Sequence, residues 1–119
     1  MERVKPPPDI SPRDFFIHWI VDVVNSDEDR RRKLRGTEAA VVFDLQGDGG
    51  GLYTVRIADG RVSGHEGDCP DANLRVRTDI ETWRQLNSGE LSAPHALLRR
   101  RLKMEGDFLL GLKLHLILA

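Results

Sequence analysis

The chain has 119 residues, one cysteine, and 18 Lys and Arg against 19 Asp and Glu. This length supports a single core, and a net charge of -1 lacks the long-range positive field that general nucleic-acid binding requires. Cys69 alone excludes an internal disulfide, leaves too few soft ligands for structural zinc, and fits a reducing, cytoplasmic setting.

Residues 1–10 carry Pro6-Pro7-Pro8 without apolar periodicity and are expected to form a flexible Pro-rich tail, with residues 11–119 as a single domain. Ser11-Pro12-Arg13-Asp14 is a helix start, with a hydroxyl cap, proline at the first turn and an acid on the positive end of the dipole. Phe15, Phe16, Trp19, Ile20, Val23 and Val24 then recur at helical spacing. Ser26 to Gly36 predicts a second short helix, capped by Ser26, acidic first, basic last and stopped by glycine, with the basic run at a solvated end.

From Thr37 the period becomes two. Ala39, Val41, Phe43 and Leu45 share one face of a strand, and Gly47-Asp48-Gly49-Gly50-Gly51 turns it into a second strand carrying Tyr53, Val55 and Ile57. These glycines enter a strand, not a helix led by Lys and Ser/Thr, so they form a hairpin and not a phosphate cradle. Asp59-Gly60 turns the chain into a third strand, Arg61 to Glu66. A fourth places Ala72, Leu74 and Val76 opposite Asn73, Arg75 and Arg77, as in a sheet with one solvated side.

Thr78-Asp79-Ile80-Glu81 predicts a capping box for a helix with Ile80, Trp83 and Leu86 on one stripe and Gly89 as its stop. Ser92-Ala93-Pro94 opens another helix, which runs to Arg99 and Arg100. Leu102 to Glu105 is a short fifth strand, and Asp107 caps the final helix. In that helix Phe108, Leu109, Leu110, Leu112, Leu114, Leu116, Ile117 and Leu118 surround the axis instead of forming one stripe. It is far shorter than the ~20 residues of a membrane span. The expectation is therefore cover on several sides by a bound lipid, a second subunit or deep burial.

The order of helices, antiparallel meander, two helices, short strand and apolar helix resembles the sterol carrier protein 2 family. The resemblance rests on Leu52 to Gly60, on Pro70 to Asp79, and on Leu86-Asn87-Ser88-Gly89-Glu90-Leu91 followed by Ala96 and Arg101 to Asp107. It extends from about Phe15 to the end. Arg100-Arg101 departs from members with glycine there, and the Arg-Arg-Leu version is similar to lipid-binding accessory proteins of ubiquinone biosynthesis. The resemblance implies an α+β fold, a five-stranded, mostly antiparallel sheet with helices covering one face. It also implies a cavity that binds fatty acids, acyl-CoA, sterols or isoprenoid quinone precursors without chemistry.

Phe16, Trp19, Ile20, Val23, Trp83, Leu86, Leu97, Met104, Phe108, Leu109, Leu112 and Leu116 are the expected lining. Burying about a dozen methylenes is worth on the order of 10 kcal/mol before ordering and association costs. His18, His65, His95 and His115 lack metal-ligand spacing, and Cys69 before Pro70 lacks an orienting base, so no catalytic residue, metal site or cofactor is expected. Besides lipid, two partners stay open: transient membrane contact, and a second copy in a ligand-free dimerisation module built on the apolar C-terminal helix. An excess of arginine over lysine points to a GC-rich bacterial genome.

Overall fold

A computed structural model describes residues 4–118. Ser11 caps α1 (Pro12–Asp14) by accepting the Asp14 N–H at 3.1 Å. The helix then widens into a π-helical stretch (Phe15–Trp19) before continuing as α2 (Ile20–Asn25). A π turn inserts one residue into the helical repeat. Here it lies against a glycine: a Cβ on Gly64 would overlap the Phe16 carbonyl oxygen. α3 (Glu28–Leu34) is capped by Asp27, not by Ser26 as the sequence suggested, because the Asp27 carboxylate accepts the Asp29 N–H at 2.9 Å while the Ser26 hydroxyl turns back to the Asp22 carbonyl.

β1 (Ala39–Gln46), β2 (Gly51–Ala58), β3 (Arg61–Glu66), β4 (Leu74–Asp79) and β5 (Leu102–Gly106) form one sheet in the order β3-β2-β1-β4-β5. All neighbours are antiparallel except β1 and β4, which run parallel. The register aligns the apolar alternation of successive strands on one face. Gly64, Val55, Val41, Leu74 and Gly106 make one row across it, and Glu66, Tyr53, Phe43, Val76 and Met104 the next. Phe16 and Ile20 pack on this face, and Phe16 stacks on Tyr53 with ring centroids 5.1 Å apart. The edge strand β3 is closed by a side chain. Asn25 Nδ2 donates to the Val62 carbonyl and its Oδ1 accepts the Val62 N–H, both at 2.9 Å.

The opposite face is less solvated than the alternation implied. Because β4 sits beyond β2 and β1, the connection from β3 has to cross the sheet. It buries Cys69 with Ala40 and Val42, and half-buried Ala72 packs beside them, ahead of β4. Asn73 locks the crossing, its side-chain oxygen accepting the Ala40 N–H at 2.9 Å and its own N–H donating to the Ala40 carbonyl at 2.9 Å.

α4 (Ile80–Ser88), α5 (Ala93–Leu98) and α6 (Phe108–Leu118) complete the cover. Asp79, not Thr78, caps α4: it accepts the Thr82 N–H at 2.7 Å, while the Thr78 hydroxyl donates to the Arg101 carbonyl at 2.8 Å. Gly89 ends α4 in the left-handed region, and Ser92 and Asp107 cap α5 and α6.

An apolar cavity between sheet and helices

Between the apolar face of the sheet and its helices lies a cavity of about 290 Å³, at the lower edge of the ~300–1,000 Å³ usual for small-molecule sites. The sheet supplies its floor through Phe43, Leu45, Leu74, Val76 and Met104. The walls are Phe15, Phe16, Trp19 and Ile20 on one side, Trp83 and Leu86 of α4 on another, and Gly111, Leu114 and His115 of α6 on a third. The aromatic wall is self-braced: Phe15 stacks on Trp19 at 5.2 Å and meets Trp83 edge-on at 5.3 Å. Gly111 brings α6 close to the sheet, where a Cβ would meet Met104 Sδ at 3.0 Å.

Residues 4–10 border the same space. Val4 and Pro6 line it, the Ile10 N–H donates to the Pro7 carbonyl, and Arg84 donates to the carbonyls of Pro8 and Ile10 while lying 5.0 Å above the Trp83 ring.

The expected lining residues divide into two groups. Phe16, Trp19, Ile20, Trp83, Leu86 and Met104 converge on the cavity. Val23 is half-buried and lies off its wall, as do exposed Leu97 of α5 and four residues of α6, Phe108, Leu109, Leu112 and Leu116, which are 58, 78, 53 and 64% exposed. The helix presents Leu110, Leu114 and Ile117 inward instead. The many-sided cover that its composition demands is thus met on one side only. Sequence reading passed over Phe15, Phe43, Leu45, Leu74, Val76, Leu91 and Leu102 as lining. Alternation gave the correct face for Phe43, Leu45, Leu74 and Val76, but nothing local distinguishes a residue touching a void from one touching another side chain.

The polar lining is sparse: Thr78, Asn87, Ser92 and His115. Asn87 Nδ2 is buried without a hydrogen-bond partner, and a buried donor in that state costs about 1–3 kcal/mol. Among the described residues no group of three His, Cys, Asp or Glu is placed to hold a metal ion. Cys69 lies on the other face of the sheet, its Sγ 3.4 Å from Arg56 Nη2 and 3.2 Å from Asp71 Oδ1. The thiol hydrogen bond holds the Asp71 carboxyl below its ordinary value.

Fold and cavity together define a class: small α+β domains that enclose an apolar space between one sheet and its helices. The chain belongs to the SCP-2 sterol transfer family, which matches residues 20–119, and it is therefore a domain of the lipid-binding and lipid-transfer type. No curated protein sequence matches it.

Among solved structures, the sec-alkylsulfatase Pisa1 from Pseudomonas sp. is 21% identical with a TM-score of 0.72, covering 92% of this chain and 16% of its own. The chain thus spans about one-sixth of that enzyme. The UbiJ-SCP2 ubiquinone synthesis protein is 13% identical, covers 84% of this chain and 90% of its own, and has a TM-score of 0.65. Palmitated SCP2L2 from Aedes aegypti is 15% identical, covers 82% and 93%, and has a TM-score of 0.62. At these identities the likeness is one of fold.

Proposed function

We propose that this protein binds an elongated apolar lipid in the cavity as a non-catalytic carrier or accessory protein. The ligand classes are a fatty acid, an acyl-CoA, a sterol or an isoprenoid quinone precursor. The observation that carries this reading is the cavity itself, floored by five strand side chains and walled by Phe16, Trp19, Trp83 and Leu114. Each methylene moved from water into such a space gains ~0.8 kcal/mol, so an acyl or prenyl chain binds through apolar area alone. The palmitated relative supports an acyl ligand, and the ubiquinone synthesis relative supports a prenylated one. Asn87 Nδ2 is a donor in want of an acceptor, which suits a ligand with one oxygen-bearing end. Cys69, with no second cysteine in the sequence, agrees with a reducing cytoplasmic compartment.

Native mass spectrometry of the purified chain, with displacement of a fluorescent fatty acid, tests the reading. Retained lipid in the wild type, and its loss in a cavity-filling Ala93→Phe variant that still folds, is the expected result. Apo mass alone, after reconstitution with fatty acids, isoprenoid quinones and sterols and with no displacement, would overturn it.

A further inference from the structure

Helix α6 is apolar on two sides that have different surroundings. Its inner side meets the core through Leu110, Leu114 and Ile117, and its outer side leaves Phe108, Leu109, Leu112 and Leu116 in water. α5 packs on β5, as α6 does, and adds Leu98, which is 81% exposed. Single exposed leucines are ordinary, but five large apolar side chains on two helices that flank one strand are not.

The charge beside them is basic. Leu98 is followed directly in the chain by Arg99 and Arg100. Arg99 and Arg100 are exposed at the end of α5 and take part in none of the described salt bridges. Lys103 and Glu105 both lie opposite Met104, on the other face of the sheet, across from Arg77 and Arg75, and Asp107 is engaged as the cap of α6. Arg100 also sits at φ 60, in the left-handed region that suits glycine. A cationic side chain thus occupies a backbone conformation that disfavours any residue but glycine.

We propose that the outer face of α6, with Leu98 and the Arg99-Arg100 turn of α5, docks on an anionic lipid bilayer. Exposed Leu and Phe enter the headgroup boundary and the adjacent guanidinium groups meet anionic headgroups. No helix among the described residues is long and apolar enough to cross a membrane, so α6 lies on the surface. Because Gly111, Leu114 and His115 on the inner side wall the cavity, docking places that cavity about one helix diameter, ~10 Å, from the lipid. The docking face is separate from the cavity and does not depend on what fills it.

Co-sedimentation of the full chain with phosphatidylcholine vesicles and with equimolar phosphatidylcholine–phosphatidylserine vesicles tests this. The wild type is expected on the anionic vesicles, with binding that weakens as salt rises. The exposed double variant Leu109→Gln/Leu112→Gln is expected to lose about tenfold or more in partition. Arg100→Gly should lose ~5-fold in partition while its thermal midpoint rises, since glycine relieves the positive φ.

Absence of wild-type binding, or equal binding to both vesicle types, overturns the proposal. So does a wild-type dimer in light scattering that the leucine variant converts to monomer with vesicle binding unmoved. Fatty-acid displacement without vesicles reads the cavity by itself. Variants that leave the membrane yet keep displacement confirm the docking face, whereas wild type that docks but displaces nothing upholds docking and removes the carrier reading.

Discussion

Arg30 Nε donates to the main-chain carbonyl of Ile117 at 2.9 Å, joining the second short helix to the last one across 87 positions of sequence. Arg30 is buried and also pairs with Asp27. The basic run that looks like a solvated helix end therefore hides one member, which satisfies a carbonyl that the end of α6 would otherwise leave open. Arg30→Ala is expected to cost about 2–3 kcal/mol, since it removes a charge-assisted bond at a buried acceptor. Arg30→Lys should recover little, because an ammonium lacks the planar fork. Urea denaturation midpoints at constant slope measure both; wild-type stability in Arg30→Ala would show that α6 needs no such anchor.

Gly64 and Phe16 set the distance between the π-helical stretch and the sheet. A methyl group at Gly64 overlaps the Phe16 carbonyl oxygen, and main chain on both sides leaves no flexible atom to yield. Gly64→Ala is expected to lose about 1–3 kcal/mol in thermal or chemical denaturation, in the range of overpacked cores. A neutral result would mean that the wide turn shifts without resistance.

Asp79 makes stability depend on pH at the start of α4. The Thr82 N–H, then the Thr82 hydroxyl and the charge of Arg101, hold its carboxyl below the ordinary 3.8 despite partial desolvation. A folded value below the unfolded one means the contribution is complete above the unfolded pKa. It is lost as pH falls through the lowered folded value. Asp79→Asn keeps an acceptor for the cap but cannot titrate. The difference between wild type and Asp79→Asn in denaturation midpoint should therefore shrink only at acid pH, below 3.8, and a difference that is flat with pH would contradict this assignment.

Arg84 ties residues 4–10 over the cavity through the Pro8 carbonyl, 3.2 Å away, and that of Ile10. Arg84→Ala is expected to loosen Val4 and Pro6 from the wall and to raise the dissociation rate of a fluorescent fatty acid roughly 3–10-fold, in line with losing exposed charge-assisted bonds. Stopped-flow dilution reads the rate. An unchanged rate would mean that this segment borders the cavity without closing it.

Much of the fold was legible because its signals are local. Alternation at Val41, Phe43 and Leu45 and at Tyr53, Val55 and Ile57 gave the strands and their apolar faces, and Gly89, Ser92 and Asp107 marked helix ends. Caps were misassigned at Ser26 and Thr78, where an adjacent aspartate competes for the same N–H groups and is the stronger acceptor. For the cavity, half of the twelve expected lining residues converge. Four of the six that lie off its wall are on α6, whose residues are apolar on every side and so give no period from which to choose the inward one.

The amino-acid order by itself determined which segments become strands or helices and that one face of the sheet is apolar, because periodicity records which side chains avoid water. Only the tertiary structure decided what covers each of them. It buried Ala40 and Val42 beneath the β3–β4 crossing, drew Arg30 inside to Ile117, brought Val4 and Pro6 to the cavity and left Leu109 and Leu112 outside it. Cover is a relation between segments far apart in the chain, and no local pattern of hydrophobicity encodes it.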